Sequence, residues 1–251
     1  MISRDELLAY CDALLDVASF KDYSPNGLQV QGRESIQTIV AGVTASQALL
    51  DAAIARQADA VLVHHGYFWR GEDPRIIGMK GARIASLIKN DISLIGYHLP
   101  LDAHAEYGNN VGLGRALGFN DARPVPETDI PGLLWYTDLP TPITASELHT
   151  NIRNALDREP LYVEGGQAIK RVVWCTGGAQ GYIDQAADFH ADAYITGEAS
   201  EQTAHIARER GLHFFSAGHH ATERFGARAL LDHLAGKFCL DSHFIDVPNP
   251  I

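Results

Sequence analysis

Short apolar runs alternate with stretches of helical period along most of the chain. The runs LQVQG (28–32), TIVAGVT (38–44), AVLVHH (60–65) and ISLIGYH (92–98) predict strands, as do LLWYTDL (133–139), LYVEGG (161–166) and RVVWCTG (171–177). AYITGE (193–198), LHFFSAGHH (212–220) and HFIDVP (243–248) complete the set. Between them, SQALLDAAIARQ (46–57), NNVGLGRALG (109–118), ASELHTNIRNAL (145–156) and ATERFGARALLDHL (221–234) carry apolar residues three and four apart, the mark of amphipathic helices. The opening MISRDELLAYCDALLD reads as another helix, with Ser3 as N-cap and Glu6 closing a capping box. Acids inside its apolar pattern separate it from a secretory signal. Strands alternating with helices predict an α/β fold layered around largely parallel or mixed sheets.

The pattern repeats. Residues 39–65 lie on 172–198 at a constant shift of 133, with Val40, Gln47, Asp51, Ala53, Ala58, Asp59 and Ala60 meeting identical residues. The next strand, LIGYHLPLD (94–102), falls on FFSAGHHATE at a shift of 121, setting His98 over His219 and Asp102 over Glu223. The loop GYFWRGEDPRIIGMKGAR is present only in the first copy. Two related, intertwined α/β lobes from an internal duplication are expected. Residues 1–125 plus 225–251 would form the first and 126–224 the second, with the Pro-rich span 124–142 at the boundary.

At 251 residues and 46% hydrophobic, the chain can bury one large core or two smaller ones. A formal net charge of −11 disfavours binding along a nucleic-acid backbone, and no run is long and apolar enough to suggest a membrane span. The three cysteines are scattered, with no CxxC, so neither a disulfide framework nor a thiolate zinc site is expected. The reading is of a soluble cytoplasmic protein, without nucleic acid or membrane as partner.

In sheets of this kind, ligands gather beyond the carboxyl ends of the strands. Three clusters sit there: His64-His65, His98 with Asp102, and His219 with Glu223. Imidazole mixed with carboxylate suits zinc, iron, manganese or nickel better than calcium. Adjacent strand residues point to opposite faces, so His64 and His65 hint at two ions. His219 and Glu223, four apart, would share a helix face, whereas Pro100 predicts that His98 and Asp102 converge from a loop. His220 is a closer rival to His219 than His104, His205, His213, His233 or His243, which lack the strand-end placement. Glu198 occupies in the second copy the place of His65 in the first, a position for a general base or a group orienting a ligand. Arg70, Lys80 and Arg83, on the loop unique to the first copy, could hold phosphates.

The blocks YSPNGLQVQG, GVTASQALLDAA, ADAVLVHHGYFW, HLPLDAH, WCTGG, DAYITGEASEQT, GLHFFSAGHHATER and IDVPNP, in this order, resemble the YbgI-like (Ngg-interacting-factor-like) family, labelled GTP cyclohydrolase I type 2. The resemblance implies two divalent metal ions per chain held by His64, His65, Asp102, His219 and Glu223, with His98 nearby as a further ligand or proton carrier. It also implies a toroidal homohexamer, a trimer of dimers. The activity it implies is metal-dependent hydrolysis of a nucleotide or related small molecule, with a metal-activated water as nucleophile and Glu198 or His98 moving protons. The alternative is a non-catalytic metal-binding ring serving delivery or scaffolding.

Overall fold

The structure, a computed structural model, describes residues 1–166 and 168–251. The chain divides into two compact units, Met1–Leu101 with Gly226–Pro248, and Asp102–Phe225 with Asn249–Ile251.

The first unit is built on a five-stranded sheet among the described residues. Its strands Thr38–Thr44, Ala60–His65 and Ser93–Gly96 run parallel, Asp241–Phe244 adds parallel beside the first, and Gly27–Val30 closes the other edge antiparallel. Period-two alternation sorts the side chains to two buried faces. Ile39, Ala41, Ala60 and Leu62 pack with Leu7, Cys11 and Leu15 from the first helix and with Leu230, Leu231 and Leu234. Val40, Val61 and Val63 pack with Leu49, Leu50, Ala53, Ile84 and Leu87. Burial on both sides is why these strands read as continuous apolar runs. The helix Arg4–Leu14 begins with the expected capping box between Ser3 and Glu6.

The second unit carries a six-stranded sheet among the described residues. Ile169–Trp174, Ala193–Thr196 and His213–Ser216 are parallel, with Trp135–Ile143 and Leu161–Val163 antiparallel on either side. Leu148, Ile152 and Leu156 of the helix Ala145–Leu156 cover Val172, Trp174, Ala193, Ile195 and Phe215.

The two units share a strand plan: three parallel strands with an antiparallel strand beside the third. Ile39 pairs with Ala60 as Val172 pairs with Ala193, each 133 residues on. The third strands correspond one residue differently, because Ala60 faces Ser93 and Ala193 faces His213, which is 120 positions after Ser93. The extra residue precedes His219: Gly218 takes φ 98, in the left-handed region that favours glycine.

Two local expectations are overturned. The segment after His98 is not a loop but a short helix, Leu99–Ala103, with Pro100 in its first turn. There the missing N–H has no partner to lose. Distant side chains cap this helix: Asn26 Oδ1 accepts from the His98 N–H and Asp22 Oδ2 from the Leu99 N–H, at 2.7 and 2.9 Å. The segment unique to the first copy is likewise not all loop, since the helix Gly78–Lys89 begins within it.

Candidate metal centre

The candidate side chains lie at or shortly after the carboxyl ends of parallel strands, Asp102 within the short helix Leu99–Ala103. In the first unit, His64 and His65 end the strand Ala60–His65 and His98 follows the strand Ser93–Gly96. The pleat alone would aim His64 and His65 apart, yet their ring centroids are 4.4 Å apart, with His98 at 5.1 and 5.8 Å. One ring nitrogen of each of the three lies within 4.8 Å of those of the others.

Each ring is oriented by an oxygen at Nδ1. For His64 the partner is the Tyr97 carbonyl at 2.9 Å, for His65 the Thr44 hydroxyl at 3.3 Å, and for His98 Asp22 Oδ1 at 2.7 Å. An acceptor oxygen at Nδ1, the Tyr97 carbonyl for His64 and the Asp22 carboxylate for His98, favours the tautomer with its proton on Nδ1, the usual orientation of a metal-ligating imidazole. Asp22 is itself buried and holds four groups: the His98 ring, the Leu99 and Tyr23 N–H groups and the Asn26 amide. Burial works to raise its pKa, but the His98 ring and these hydrogen bonds outweigh that and lower it to about 2.

In the second unit, Asp102 and Glu223 are buried, and carboxylate oxygens of the two lie within 4.8 Å of each other. Asn109 donates to Asp102 Oδ1 at 2.8 Å, and Asn110 ties the Asp102 carbonyl to the Thr176 N–H. His219 links two acids, with Nδ1 at 2.6 Å from Glu198 Oε1 and Nε2 at 3.1 Å from Glu223 Oε2. Burial acts to lower the His219 pKa, but hydrogen bonds and charge from Glu223 and Glu198 hold it up at about 9. The thiol of Cys175, completely buried, is pushed well above its ordinary value by desolvation, with Asp102 and Glu223 adding to the rise. Gly177, at φ 70, is where Glu223 passes closest to the backbone; a Cβ there would overlap Glu223 Oε1.

These donors fit a divalent cation. Two buried acids side by side are costly without a compensating charge, and imidazole with carboxylate is the ligand chemistry of zinc and the later first-row metals. Both residue groups could therefore hold metal ions.

The Duf34/NIF3 (NGG1p interacting factor 3) profile matches residues 2–250. A Pseudomonas aeruginosa protein named "GTP cyclohydrolase 1 type 2 homolog" is 54% identical over 249 residues, covering 99% of each chain. The chain belongs to the DUF34/NIF3 family. Among solved structures, "protein ybgI, unknown function" matches this DUF34/NIF3 chain with TM-score 0.94 and 52% identity over 100% of both chains. TTHA1606 from Thermus thermophilus does so with TM-score 0.90 and 36% identity, again over 100% of both.

Not all sequence candidates join these groups. His220 is buried beside His219 but its backbone N–H donates to the Ile251 carbonyl, and His213 Nδ1 takes up the Tyr162 hydroxyl and the Gly165 N–H. Lys80 pairs with Glu72 at 3.3 Å and donates to the Asp73 carbonyl, bracing its own loop. The residues that sequence reading passed over in this DUF34/NIF3 chain are the orienting ones: Asp22, Asn26, Thr44, Asn109, Asn110 and Thr176. The only local signal was the turn-rich string DYSPNG at 22–27.

Proposed function

We propose that the chain is a dinuclear divalent-metal-dependent hydrolase acting on a nucleotide or related small molecule. His64, His65, Asp102, His219 and Glu223 would hold the ions, with Glu223 as the acid expected to serve both. The observation that carries the reading is the common setting of the imidazoles. Those of His64, His65, His98 and His219 each have Nδ1 within hydrogen-bonding distance of a protein oxygen, and ring nitrogens of His64, His65 and His98 come within 4.8 Å of one another. Asp102 follows His98 by four residues along one short stretch of chain, which keeps an acid close in sequence to the histidine group.

When bound, such ions supply a water acidified to near-neutral pKa and positive charge against the developing anion. The chain's own residues then divide the remaining work. Asp22 holds the His98 ring with Nε2 presented, placing a proton acceptor beside the ligands. Glu198 orients His219 through Oε1 and, with its side chain 37% exposed, is placed to exchange a proton with solvent. The name of the Pseudomonas relative makes GTP the first substrate to test.

The assembly follows the same reading: a toroidal homohexamer built as a trimer of dimers. Large apolar side chains left exposed support assembly, namely Leu161 and Tyr162 on an edge strand and Ile76, Ile77, Met79 and Ile88 on and before the helix Gly78–Lys89.

Elemental analysis of gently purified protein should give two ions per chain. Wild type should release product from a nucleotide panel that includes GTP, and His65→Ala should lose both metal and turnover, by roughly a hundredfold or more in rate. Retained metal without turnover of any nucleotide would favour delivery or scaffolding; less than one ion per chain would remove the centre altogether.

A further inference from the structure

The three-histidine group of the first unit has a wall of a different chemistry. Trp69 lies with its ring centroid 4.9 Å from that of His98 and 5.8 Å from that of His65. Tyr23 meets His98 edge-on with ring centroids 6.4 Å apart and is 53% exposed. The Arg70 guanidinium covers the Tyr23 ring at 5.7 Å and donates one N–H to the Asp22 carbonyl at 3.1 Å. Two aromatic rings and one exposed cation thus border imidazoles that are themselves set for a metal.

This border is built rather than incidental. Phe68, between Tyr67 and Trp69, takes φ 67, a left-handed conformation costly for an aromatic residue and held only where the surroundings enforce it. The loop is locked around it. Trp69 Nε1 donates to the Gly66 carbonyl, the Trp69 N–H to Glu72, and the Arg70 N–H to the Tyr23 carbonyl at 2.7 Å. Glu72 is in turn held by Lys80, which also lies over the Phe68 ring at 5.1 Å. Tyr23 is anchored from below, because Asp22 Oδ1 accepts from its N–H and the same carboxylate orients His98. One buried acid therefore places a metal-side imidazole and an exposed aromatic ring together.

We propose that Tyr23, Trp69 and Arg70 form the recognition wall of this site, the two rings taking the base of a nucleotide and the guanidinium its phosphate. The inference rests on the hydrolase reading above and names the part of the substrate that the metals do not grip. Aromatic side chains stack on any nucleobase, and an arginine beside them matches a phosphate with paired N–H groups. In a chain of net charge −11, that one exposed guanidinium is a local exception where an anion is welcome. Of the basic residues on this loop, Lys80 is committed to Glu72 and Asp73 and Arg75 to Asp73, whereas Arg70 stands at the aromatic border.

The test uses guanosine monophosphate, guanosine and ribose 5-phosphate as probes on the metal-loaded protein. Binding is followed by tryptophan fluorescence and by calorimetry. Trp135 and Trp174 are buried, so quenching by a ring reports on Trp69. The nucleotide should quench the emission, and Trp69→Leu should abolish that change. Tyr23→Ala should weaken nucleotide and nucleoside binding by roughly tenfold while leaving ribose 5-phosphate unaffected. Arg70→Gln should reduce the nucleotide to the affinity of guanosine without changing guanosine itself. Equal binding of nucleotide and ribose 5-phosphate, or wild-type affinity in Tyr23→Ala, overturns the proposal. Metal content is measured on the same samples: ions retained with ring binding unaltered sinks only this inference, whereas loss of ions from wild type sinks the hydrolase reading. Tyr23 is exposed, so its variant keeps the test decisive even if Trp69→Leu fails to fold.

Discussion

At the residue scale, position rather than type decides what a side chain does. Four histidines with the same intrinsic chemistry are oriented by four different oxygens that reach their Nδ1 atoms, one of them a main-chain carbonyl. Other histidines of the chain are absorbed by hydrogen bonds elsewhere, as His233 is by the Tyr10 hydroxyl at 2.6 Å. The cysteines separate in the same way. Cys11 is buried with its pKa pushed up to about 12, first by desolvation and then by Asp12; Cys175 is also raised, chiefly by desolvation; Cys239 is exposed. The thiolate is the nucleophile that attacks a thiol reagent, and a raised pKa means that less thiolate is present at a given pH. At pH 8, Ellman's reagent should therefore titrate one thiol in the native protein, that of Cys239, and all three only after unfolding. Rapid native reaction at two or more thiols would contradict the burial described here.

At the scale of elements, the strand-to-helix turns carry the chemistry, and their backbone is tuned to side chains that approach from elsewhere. Gly177 and Gly211 both have positive φ, 70 and 66, so alanine at either should cost about 1 kcal/mol in backbone strain. The space around them differs. A Cβ on Gly211 meets nothing within 4 Å, whereas one on Gly177 strikes Glu223 and crowds His219. Gly177→Ala should therefore lose bound metal and Gly211→Ala should keep it, the two being comparable in strain at the backbone. Metal content by elemental analysis, read beside thermal melts, distinguishes them. Equal retention in both would show that Glu223 can be moved without consequence. The helix Leu99–Ala103 teaches the complementary lesson: a proline that reads as a breaker is accommodated once remote Asp22 and Asn26 take up the N–H groups at the helix start.

At the scale of the whole molecule, duplication places equivalent strand ends in each unit and fills them differently. His98 and Asp102 have counterparts of the same kind in His219 and Glu223, whereas His64 and His65 stand over Gly197 and Glu198. Among the described residues no helix is long and apolar enough to cross a membrane. The exposed Leu161 and Tyr162 lie on a sheet edge, where unpaired backbone groups invite another strand. Native mass spectrometry should find six copies of the 27.3 kDa chain. Replacing Leu161 and Tyr162 with lysine should shift the population to smaller species. A monomer at micromolar concentration in wild type would remove the ring from the proposal.

Much was settled by local pattern. The strands Thr38–Thr44 and Ala60–His65 and the helix Ala145–Leu156 lie where hydrophobic period put them, and the capping box at Ser3 forms as spaced. Family membership, too, was legible in ordered blocks along the chain. These features depend on neighbours within a few residues, which is the range of periodicity and capping. Tertiary structure alone decided which oxygen orients each imidazole and which ring borders it. Asp22 reaches His98 across 76 residues, Asn110 reaches Thr176 across 66, and Trp69 returns to His98 from a loop with no counterpart in the second copy. Such pairings follow from how crossovers bring strand ends side by side, and no local pattern of apolar and polar positions encodes them.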